Sequence, residues 1–407
     1  MAQVVLFHQL VQFSTCLGTD RVQDVVEVEP EGSETPPPPL LSKPPSVMQN
    51  PDPSLADIES RVQRSQRLEF DDGVALFQTT DYDTVRRLAN MVRERLHGNE
   101  TYHVVNRHIN YSNICAGECS FCAFARRPGQ EGGYTLSLSE IWDRTSRLEQ
   151  EGVLEIHVVG SVNPEIPYPY YVDLVAGLRH RHPGVTIKAF SAVEVAHMAQ
   201  GAGKPYADVL RDLKAAGIDA LVGGGAEIFS QRVRKLLCPS KISAEIWLDV
   251  HRQAHRLGLK SNATMLYGHL ETIEERVDHL LRLRSLQDET GGFLAFVPLP
   301  FHPENTSLSD ISTPSPTDRL RTLAVSRLVL SNIPHIKCYW IASGIEAARS
   351  SLDWGADDLD GTVKDERIYH AAGAATPASI ESDELVRLIR AAGRIPVTRD
   401  GLYRNTR

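Results

Sequence analysis

The 407-residue sequence lacks features that would mark several classes of protein. Basic residues are not in excess, since 43 Lys and Arg stand against 52 Asp and Glu, whereas a nucleic-acid-binding protein is usually basic. No apolar run approaches the roughly 18 residues of a membrane span. No Lys or Arg precedes Arg21, so the N-terminus lacks the basic region of a secretory signal. We therefore expect a cytoplasmic protein with no nucleic-acid or membrane partner.

Cysteine is scarce and unevenly placed. A secreted disulfide scaffold would be smaller and richer in cysteine than this chain. Three cysteines crowd into eight positions, which favours a metal site in a reducing compartment. The clustered residues are Cys115, Cys119 and Cys122, and the scattered ones are Cys16, Cys238 and Cys338.

The first 55 residues differ in composition from the rest. Nine of the 24 prolines fall between Pro30 and Pro53, and seven acidic side chains stand against two basic ones. Such a stretch is typical of an extended chain without a core. We predict a flexible acidic tail over 1–55, helices that pack on a barrel over 56–100, and a barrel domain over 101–407. There are two alternatives for the tail: it could be a targeting or partner-binding segment, or translation could start at Met48.

Strand-like and helix-like segments alternate through the rest of the chain, which predicts a parallel sheet flanked by helices. Eight strand candidates favour an α/β fold with a closed (βα)8 barrel of the TIM type, and six or seven strands in a partial barrel are the alternative. In such barrels the chemistry lies at the C-terminal ends of the strands. The candidates are 103–111, 155–160, 186–192, 218–225, 260–268, 293–301, 336–343 and 356–363.

Start and stop signals place several helices between these strands. Ser137 and Glu140 form a capping-box pattern, as do Thr272 and Glu275. Ser243 is a further N-cap candidate. Residues 57–68 and 81–98 are predicted as helices that precede the first strand.

The three clustered cysteines directly follow the first strand, in the spacing C-x3-C-x2-C. Three thiolates on one short loop can bind three irons of a cubane cluster and leave the fourth iron open. An open iron can chelate a small molecule through an amine and a carboxylate. The alternatives are three structural cysteines, or a zinc site, which normally needs a fourth protein ligand or a catalytic water.

With Phe121 before the last cysteine, this motif resembles that of the radical S-adenosylmethionine (SAM) superfamily. Longer segments resemble one branch of it, the aminofutalosine synthases of menaquinone biosynthesis. The resemblance covers about residues 57–407. The matching segments are NRHINYSNIC, CAFARRPGQEGGYTLSL, GGGAEIFSQRVRKLL, VHRQAHRLGLKSNATMLYGHLET, EERVDHLLRLRSLQDETGGF, PFHPENT and GRIPVTRDGLYR.

The resemblance implies a transferase with a [4Fe–4S] cluster and SAM as cosubstrate. The implied reaction adds the 5′-deoxyadenosyl radical of SAM to 3-[(1-carboxyvinyl)oxy]benzoate. Rearrangement and decarboxylation then give 6-amino-6-deoxyfutalosine and methionine. A one-electron donor such as flavodoxin or ferredoxin is the implied partner. A sister enzyme such as dehypoxanthine futalosine cyclase, and a non-catalytic metal-binding protein, are the alternative functions.

The resemblance also assigns residues to the cofactors. It implies that Cys115, Cys119 and Cys122 ligate the cluster. Around SAM it implies aromatic groups near the adenine, backbone groups at the methionine amine, and a carboxylate at the ribose or amine. Glu194 could instead be a helix N-terminal acid, and two residues of the fifth strand could be plain core. The expected SAM contacts are Phe121, Phe124, Gly160, Ser161, Glu194, Met265 and Tyr267.

The implied substrate carries two carboxylates, for which arginine is the best bidentate partner. Polar residues that alternate along the first strand should share one face. For each histidine a structural role is an equal alternative. The candidates for substrate contact or catalysis are Arg126, Arg127 and Arg399, then Asn106, His108 and Asn110 on the first strand, and His269 and His302 after the fifth and sixth strands.

Overall fold

The computed structural model describes residues 55–406, and the predictions for the tail and for Cys16 lie outside this range. Within it the chain forms ten strands. In chain order they are β1 (Glu100–Val104), β2 (Asn106–Ile109), β3 (Glu155–Val158), β4 (Thr186–Ala189), β5 (Ala220–Leu221), β6 (Lys260–Tyr267), β7 (Phe293–Pro300), β8 (His335–Ile336), β9 (Asp358–Gly361) and β10 (Ile395–Thr398).

Fifteen helices occur in the same range, and none of them is long and apolar enough to cross a membrane. They are α1 (Leu55–Gln63), α2 (Phe70–Gln78), α3 (Tyr82–His97), α4 (Leu138–Thr145), α5 (Tyr168–Arg181), α6 (Ala192–Ala202), α7 (Tyr206–Ala216), α8 (Gln231–Leu237), α9 (Ala244–Arg256), α10 (Ile273–Thr290), α11 (Pro316–Val329), α12 (Trp340–Ser343), α13 (Ile345–Ser351), α14 (Ile368–Ala371) and α15 (Ser382–Ala391).

The strands close into a parallel barrel. Strands β2 to β8 form one seven-stranded sheet in chain order. A bridge from Lys337 to Asp358 joins the end of β8 to β9, and a bridge from Arg107 to Lys364 joins β2 to the residues after β9. Because β1 and β2 are separated only by Val105, they act as one barrel strand, which brings the number to eight. The (βα)8 class predicted from the sequence is therefore confirmed.

The two ends of the described chain pack on different parts of the barrel. Strand β10 pairs with β1 in parallel and brings the C-terminal segment to the N-terminal end of the barrel. Helices α2 and α3 pack on α10 and α11 outside the barrel. The C-terminal ends of the strands remain open, as the chemistry of such barrels requires.

Most local signals form the structures that they predict. The Ser137–Glu140 and Thr272–Glu275 pairs are both reciprocal capping boxes in the structure. The segment 336–343 was expected to be a strand, but β8 ends at Ile336 and Trp340–Ser343 turns into a helix. The sequence pattern also missed α2, which contains Gly73 in its interior. A Cβ there would lie 2.9 Å from a methyl group of Val277 on α10, so glycine allows the two helices to approach.

Candidate functional site

A cavity of about 1300 Å³ opens at the C-terminal ends of the barrel strands. Loops that follow β2, β3, β4, β5, β7 and β9 contribute to its walls, which are mostly apolar. Ten residues selected from the sequence line this one cavity, although they are spread over nearly 200 positions. They are His108, Cys115, Cys119, Phe121, Cys122, Phe124, Gly160, Ser161, Glu194 and His302.

Backbone hydrogen bonds tie the cysteine loop to two neighbouring parts of the barrel. The amide of Ala116 donates to the carbonyl of Val162, just after β3, at 3.0 Å. The amide of Ser120 donates to the carbonyl of Leu237, the last residue of α8, at 2.9 Å. These bonds hold the loop over the rim so that its thiols face the cavity.

Two arginines brace this loop from within. Nη1 of Arg126 donates to the carbonyls of Ala123 and Ala125, at 2.9 Å each. Nη1 of Arg127 donates to the carbonyl of Gly117 at 2.9 Å. Neither arginine lines the cavity. The structure therefore does not support them as substrate-binding cations, because their guanidinium groups are used to fix the loop.

The three loop thiols form a donor set that fits an iron–sulfur cluster. All three are free and half-buried, and all face the same cavity. The amide of Gly117 donates to Sγ of Cys115 at 3.3 Å, and a Cβ on Gly117 would lie 3.3 Å from that sulfur and 4.0 Å from Sγ of Cys119. Burial raises the pKa of Cys119 to about 12, so the thiolate form needs a cation such as iron beside it.

A lysine beside the cysteines was not identified from the sequence. Nζ of Lys241 donates to a carboxylate oxygen of Glu227 at 2.6 Å and lies 4.9 Å from the ring centre of Phe121. Burial lowers the pKa of Lys241, but the charges of Cys119 and Glu227 outweigh that effect and raise it. Lys241 therefore stays cationic beside Cys119. The only hint in the sequence is its partner, since Glu227 is the acidic residue of the GGGAEIF segment after β5.

Glu194 lines the cavity, but its carboxylate is already engaged by the protein. One oxygen accepts from the hydroxyl of Tyr111 at 2.7 Å and from the amide of Gly160 at 3.0 Å. The other accepts from the amide and the hydroxyl of Ser191, at 2.7 Å each, in a capping box at the start of α6. Four accepted bonds use the roughly four lone-pair sites of a carboxylate. Glu194 thus connects α6 to the end of β3.

On strand β6, the residues that face the cavity alternate with the two that were predicted to do so. Asn262, Thr264 and Leu266 line the cavity. Met265 and Tyr267 are buried in the hydrophobic core, and the ring of Tyr267 lies under the guanidinium of Arg276 on α10. Alternate strand residues point to opposite faces. The prediction that Met265 and Tyr267 border the adenine is therefore wrong, because their side chains point to the face of β6 that is turned away from the cavity.

Of the three polar residues predicted on the first strand, one lines the cavity and two bond to other barrel segments. His108 lines the cavity, whereas Asn106 accepts from the amide of Val363 at 2.7 Å. Asn110 donates to the carbonyl of Val159 at 3.0 Å. These two asparagines join neighbouring barrel segments, and the structure does not place them among the cavity-lining residues.

The two histidines expected after later strands also differ. His302 lines the cavity, donates through Nε2 to the carbonyl of Ala342 at 2.8 Å, and has a pKa lowered by burial. His269 lies outside the cavity lining, with no exposed side-chain surface, and its Nδ1 is 2.9 Å from a carboxylate oxygen of Glu271. The structural alternative therefore describes His269 better than a catalytic one.

Arg399 lies at the opposite end of the barrel from the cysteine loop. Its side chain has no exposed surface. Nε donates to Asp358 at 2.6 Å, and Nη1 lies 3.6 Å from a carboxylate oxygen of Glu155. Both acidic residues belong to the first positions of their strands. The expectation that Arg399 reaches a substrate carboxylate is wrong, because β10 carries it to the N-terminal end.

Sequence comparisons relate the chain to known families. Residues 109–283 match the family described as the Radical SAM superfamily, and residues 290–407 match the CofH/MqnC C-terminal region. An aminodeoxyfutalosine synthase from Thermus thermophilus is 50% identical over 360 residues, which are 88% of this chain and 97% of that protein. The aminodeoxyfutalosine synthase of Streptomyces coelicolor is 38% identical over 85% of this chain and 92% of its own.

A transferase from Methanopyrus kandleri is also related. It is named 5-amino-6-(D-ribitylamino)uracil–L-tyrosine 4-hydroxyphenyl transferase and is 37% identical over 86% of this chain and 97% of its own. Among solved structures, methylornithine synthase (PylB) superposes with a TM-score of 0.68 at 19% identity, over 83% of this chain and 97% of that one. The structural likeness concerns the fold.

Proposed function

Because the chain belongs to the radical SAM superfamily, whose enzymes use a [4Fe–4S] cluster and SAM, we propose that it acts as an aminodeoxyfutalosine synthase. The superfamily resemblance expected from the sequence is thereby confirmed. The choice of branch is supported by the 50% identity to the synthase of Thermus thermophilus, against 37% to the hydroxyphenyl transferase of Methanopyrus kandleri.

One observation carries this proposal furthest: three free thiols on one loop face a cavity large enough for two small molecules. Cys115, Cys119 and Cys122 are the proposed cluster ligands. When bound, the cluster supplies the electron that splits SAM into methionine and a 5′-deoxyadenosyl group with an unpaired electron. Every other contribution comes from the chain itself.

The chain's contribution is to position the reactants and to exclude water. Phe121 and Phe124 offer aromatic surface beside the thiols, and Gly160 and Ser161 line the cavity at the end of β3. Glu194 acts by fixing Gly160. The apolar walls keep water away from a reactive carbon centre, and a defined pose of the acceptor makes carbon–carbon bond formation effectively unimolecular.

The proposed second substrate is 3-[(1-carboxyvinyl)oxy]benzoate. In the proposed net conversion, the deoxyadenosyl carbon bonds to the vinyl CH2 carbon, and the ring moves from the ether oxygen to the neighbouring carbon, so that the aryl–oxygen bond breaks and that oxygen becomes a ketone. The carboxyl on the same carbon is lost, takes up water as bicarbonate and gives back one electron, so the conversion is redox-neutral overall. The products are 6-amino-6-deoxyfutalosine and methionine. A flavodoxin or ferredoxin is the proposed electron donor.

The test is an anaerobic reconstitution followed by product analysis. The reduced protein is incubated with SAM and either the enol-ether benzoate or dehypoxanthine futalosine, and products are identified by mass spectrometry. Aminodeoxyfutalosine from the first mixture alone supports the proposal. Turnover of the second substrate instead identifies a cyclase, and bound iron without SAM cleavage identifies a non-catalytic protein.

A further inference from the structure

A buried lysine lies deep in the cavity. Lys337 directly follows β8, is 2% exposed and lines the cavity. Its Nζ is 3.3 Å from Oδ1 of Asp360, which also lines the cavity. An ammonium group carries three N–H donors, so one contact at this distance leaves capacity for a ligand.

The other lysines of the cavity wall are committed elsewhere. Lys204 lies at the exposed rim and pairs with Asp212 at 2.6 Å. Lys241 pairs with Glu227 beside the cysteines. No arginine of the described residues lines the cavity. Lys337 is therefore the cationic side chain available to bind an acidic substrate inside the barrel.

A second observation independently indicates a ligand at this depth. Nε2 of His108 is buried and has no hydrogen-bond partner, although the residue is 8% exposed and lines the cavity. Buried polar atoms in folded proteins are rarely left without partners. Burial, and then the stacked ring of His157 at 4.6 Å, hold the pKa of His108 well below its usual value. The ring is thus neutral near pH 7 and can donate one N–H.

The segment that carries Asp360 is held in a strained conformation. Asp360 and Val363 have φ values of +66° and +50°, a region that β-branched residues avoid. Asn106 keeps the segment in place by accepting from the amide of Val363 and donating to Asp360. Backbone strain of this kind clusters at functional sites. Here it holds the carboxylate that orients Lys337.

Apolar and aromatic side chains line the cavity beside these polar groups. Leu299 and Phe301 come from the end of β7, and Tyr339 and Tyr369 add two aromatic rings. An aromatic ring with one anionic substituent matches such a pocket, since the ring contacts apolar surface while the anion meets Lys337 and His108.

We propose that Lys337 and His108 bind the ring carboxylate of a meta-substituted benzoate. The inference rests on the proposed function, because the vinyl ether at the meta position has to meet the deoxyadenosyl carbon near the cysteine loop. The carboxylate at the other end of the molecule then reaches the deeper part of the barrel. Lys337 acts as a substrate-binding residue that selects an anionic ring substituent.

The experiment compares a matched ligand pair on the reconstituted holoenzyme with SAM bound. 3-Methoxybenzoate and 3-methoxybenzamide have the same shape, carry no second carboxylate and differ in that a neutral amide replaces the carboxylate. Their dissociation constants are measured calorimetrically for the wild type, for Lys337→Met and for a double variant, Lys337→Met with Asp360→Asn, that keeps the buried charges balanced. Lys204→Met is the control for loss of a cavity lysine.

We expect the wild type and Lys204→Met to bind the acid about tenfold or more tighter than the amide. Both Lys337 variants should bind the two ligands with similar affinity. An equal loss of affinity for both ligands, an unchanged preference for the acid, or no preference in the wild type would each overturn the proposal. Product analysis of the wild type with the enol ether tests the proposed function separately, so the two failures are distinguishable.

Discussion

The carboxylate of Glu194 holds the end of β3 in place by accepting a hydrogen bond from the amide of Gly160 at 3.0 Å. The same oxygen accepts from Tyr111, whose ring packs against Gly160 so closely that a Cβ there would lie 2.7 Å from it. The β3 end is the proposed contact for the methionine part of SAM. Its geometry therefore depends on a side chain that need not touch SAM itself.

Replacement of Glu194 by Gln should loosen this connection. The amide nitrogen of Gln cannot accept hydrogen bonds, so some of the four buried donors lose their partner, at a cost of about 1–3 kcal/mol. We expect a lower free energy of unfolding and weaker SAM binding, measured by denaturant titration and calorimetry. Tyr111→Phe removes only one of the four bonds that Glu194 accepts and should have a smaller effect. Wild-type stability and SAM affinity in the Gln variant would contradict this role.

The cysteine loop allows a direct test of ligand identity. Cys115→Ala, Cys119→Ala and Cys122→Ala should each lose most of the iron and all SAM cleavage, because three ligands leave no redundancy. Cys238→Ala and Cys338→Ala should retain both, since these residues are buried outside the cavity lining. Iron and sulfide analysis after reconstitution is the measurement. Iron loss in either of the last two variants would show that the ligand set is wrong.

The strands, the helix caps and the cluster loop could be predicted because their signals are local. The spacing of Cys115, Cys119 and Cys122 fixes three thiols on one loop, and Thr272 with Glu275 fixes a helix start. Glu194 was harder to interpret. Its capping box with Ser191 is visible in the sequence, whereas the contacts with β3 depend on tertiary packing.

Arg399 should behave as a structural residue. Removing one partner of a buried ion pair leaves an uncompensated charge and typically costs about 3–5 kcal/mol. We expect Arg399→Met to lower the free energy of unfolding by that order, and a second change, Asp358→Asn, to recover part of it. The folded variant should keep the wild-type KM for the benzoate substrate. A raised KM with unchanged stability would favour a substrate contact after all.

The errors and the omission in the site have three physical origins. The residues of β6 are buried on both faces, and each face mixes apolar with polar side chains, so the sequence does not reveal that Thr264 rather than Met265 faces the cavity. Arg399 was misplaced because strand pairing across the whole chain decides which end of the barrel β10 joins. Lys337 was missed because a single lysine in an apolar run gives no sign of its depth.

Acid should destabilise the protein through buried histidines. Burial, and then Lys260, lower the pKa of His255 to about 4, so the unfolded chain, with a pKa near 6.5, binds the proton first. The stabilising effect of neutral His255 is full above about pH 6.5 and is lost as the pH falls towards 4, by up to about 3 kcal/mol. Denaturant titrations across this range should show a flatter profile for His255→Gln, with the exposed His180→Gln as control. An identical profile in both variants would rule out this contribution.

The fate of the adenosyl carbons tests the proposed function most directly. The reduced holoenzyme is given SAM labelled with ¹³C in the adenosine part, together with 3-[(1-carboxyvinyl)oxy]benzoate, under anaerobic conditions, and products are analysed by mass spectrometry. A synthase forms a bond between the deoxyadenosyl carbon and the vinyl carbon. Most of the label should therefore appear in 6-amino-6-deoxyfutalosine, with free 5′-deoxyadenosine as a minor product. Release of the label as 5′-deoxyadenosine in proportion to turnover would instead identify a hydrogen-abstracting enzyme and contradict the account.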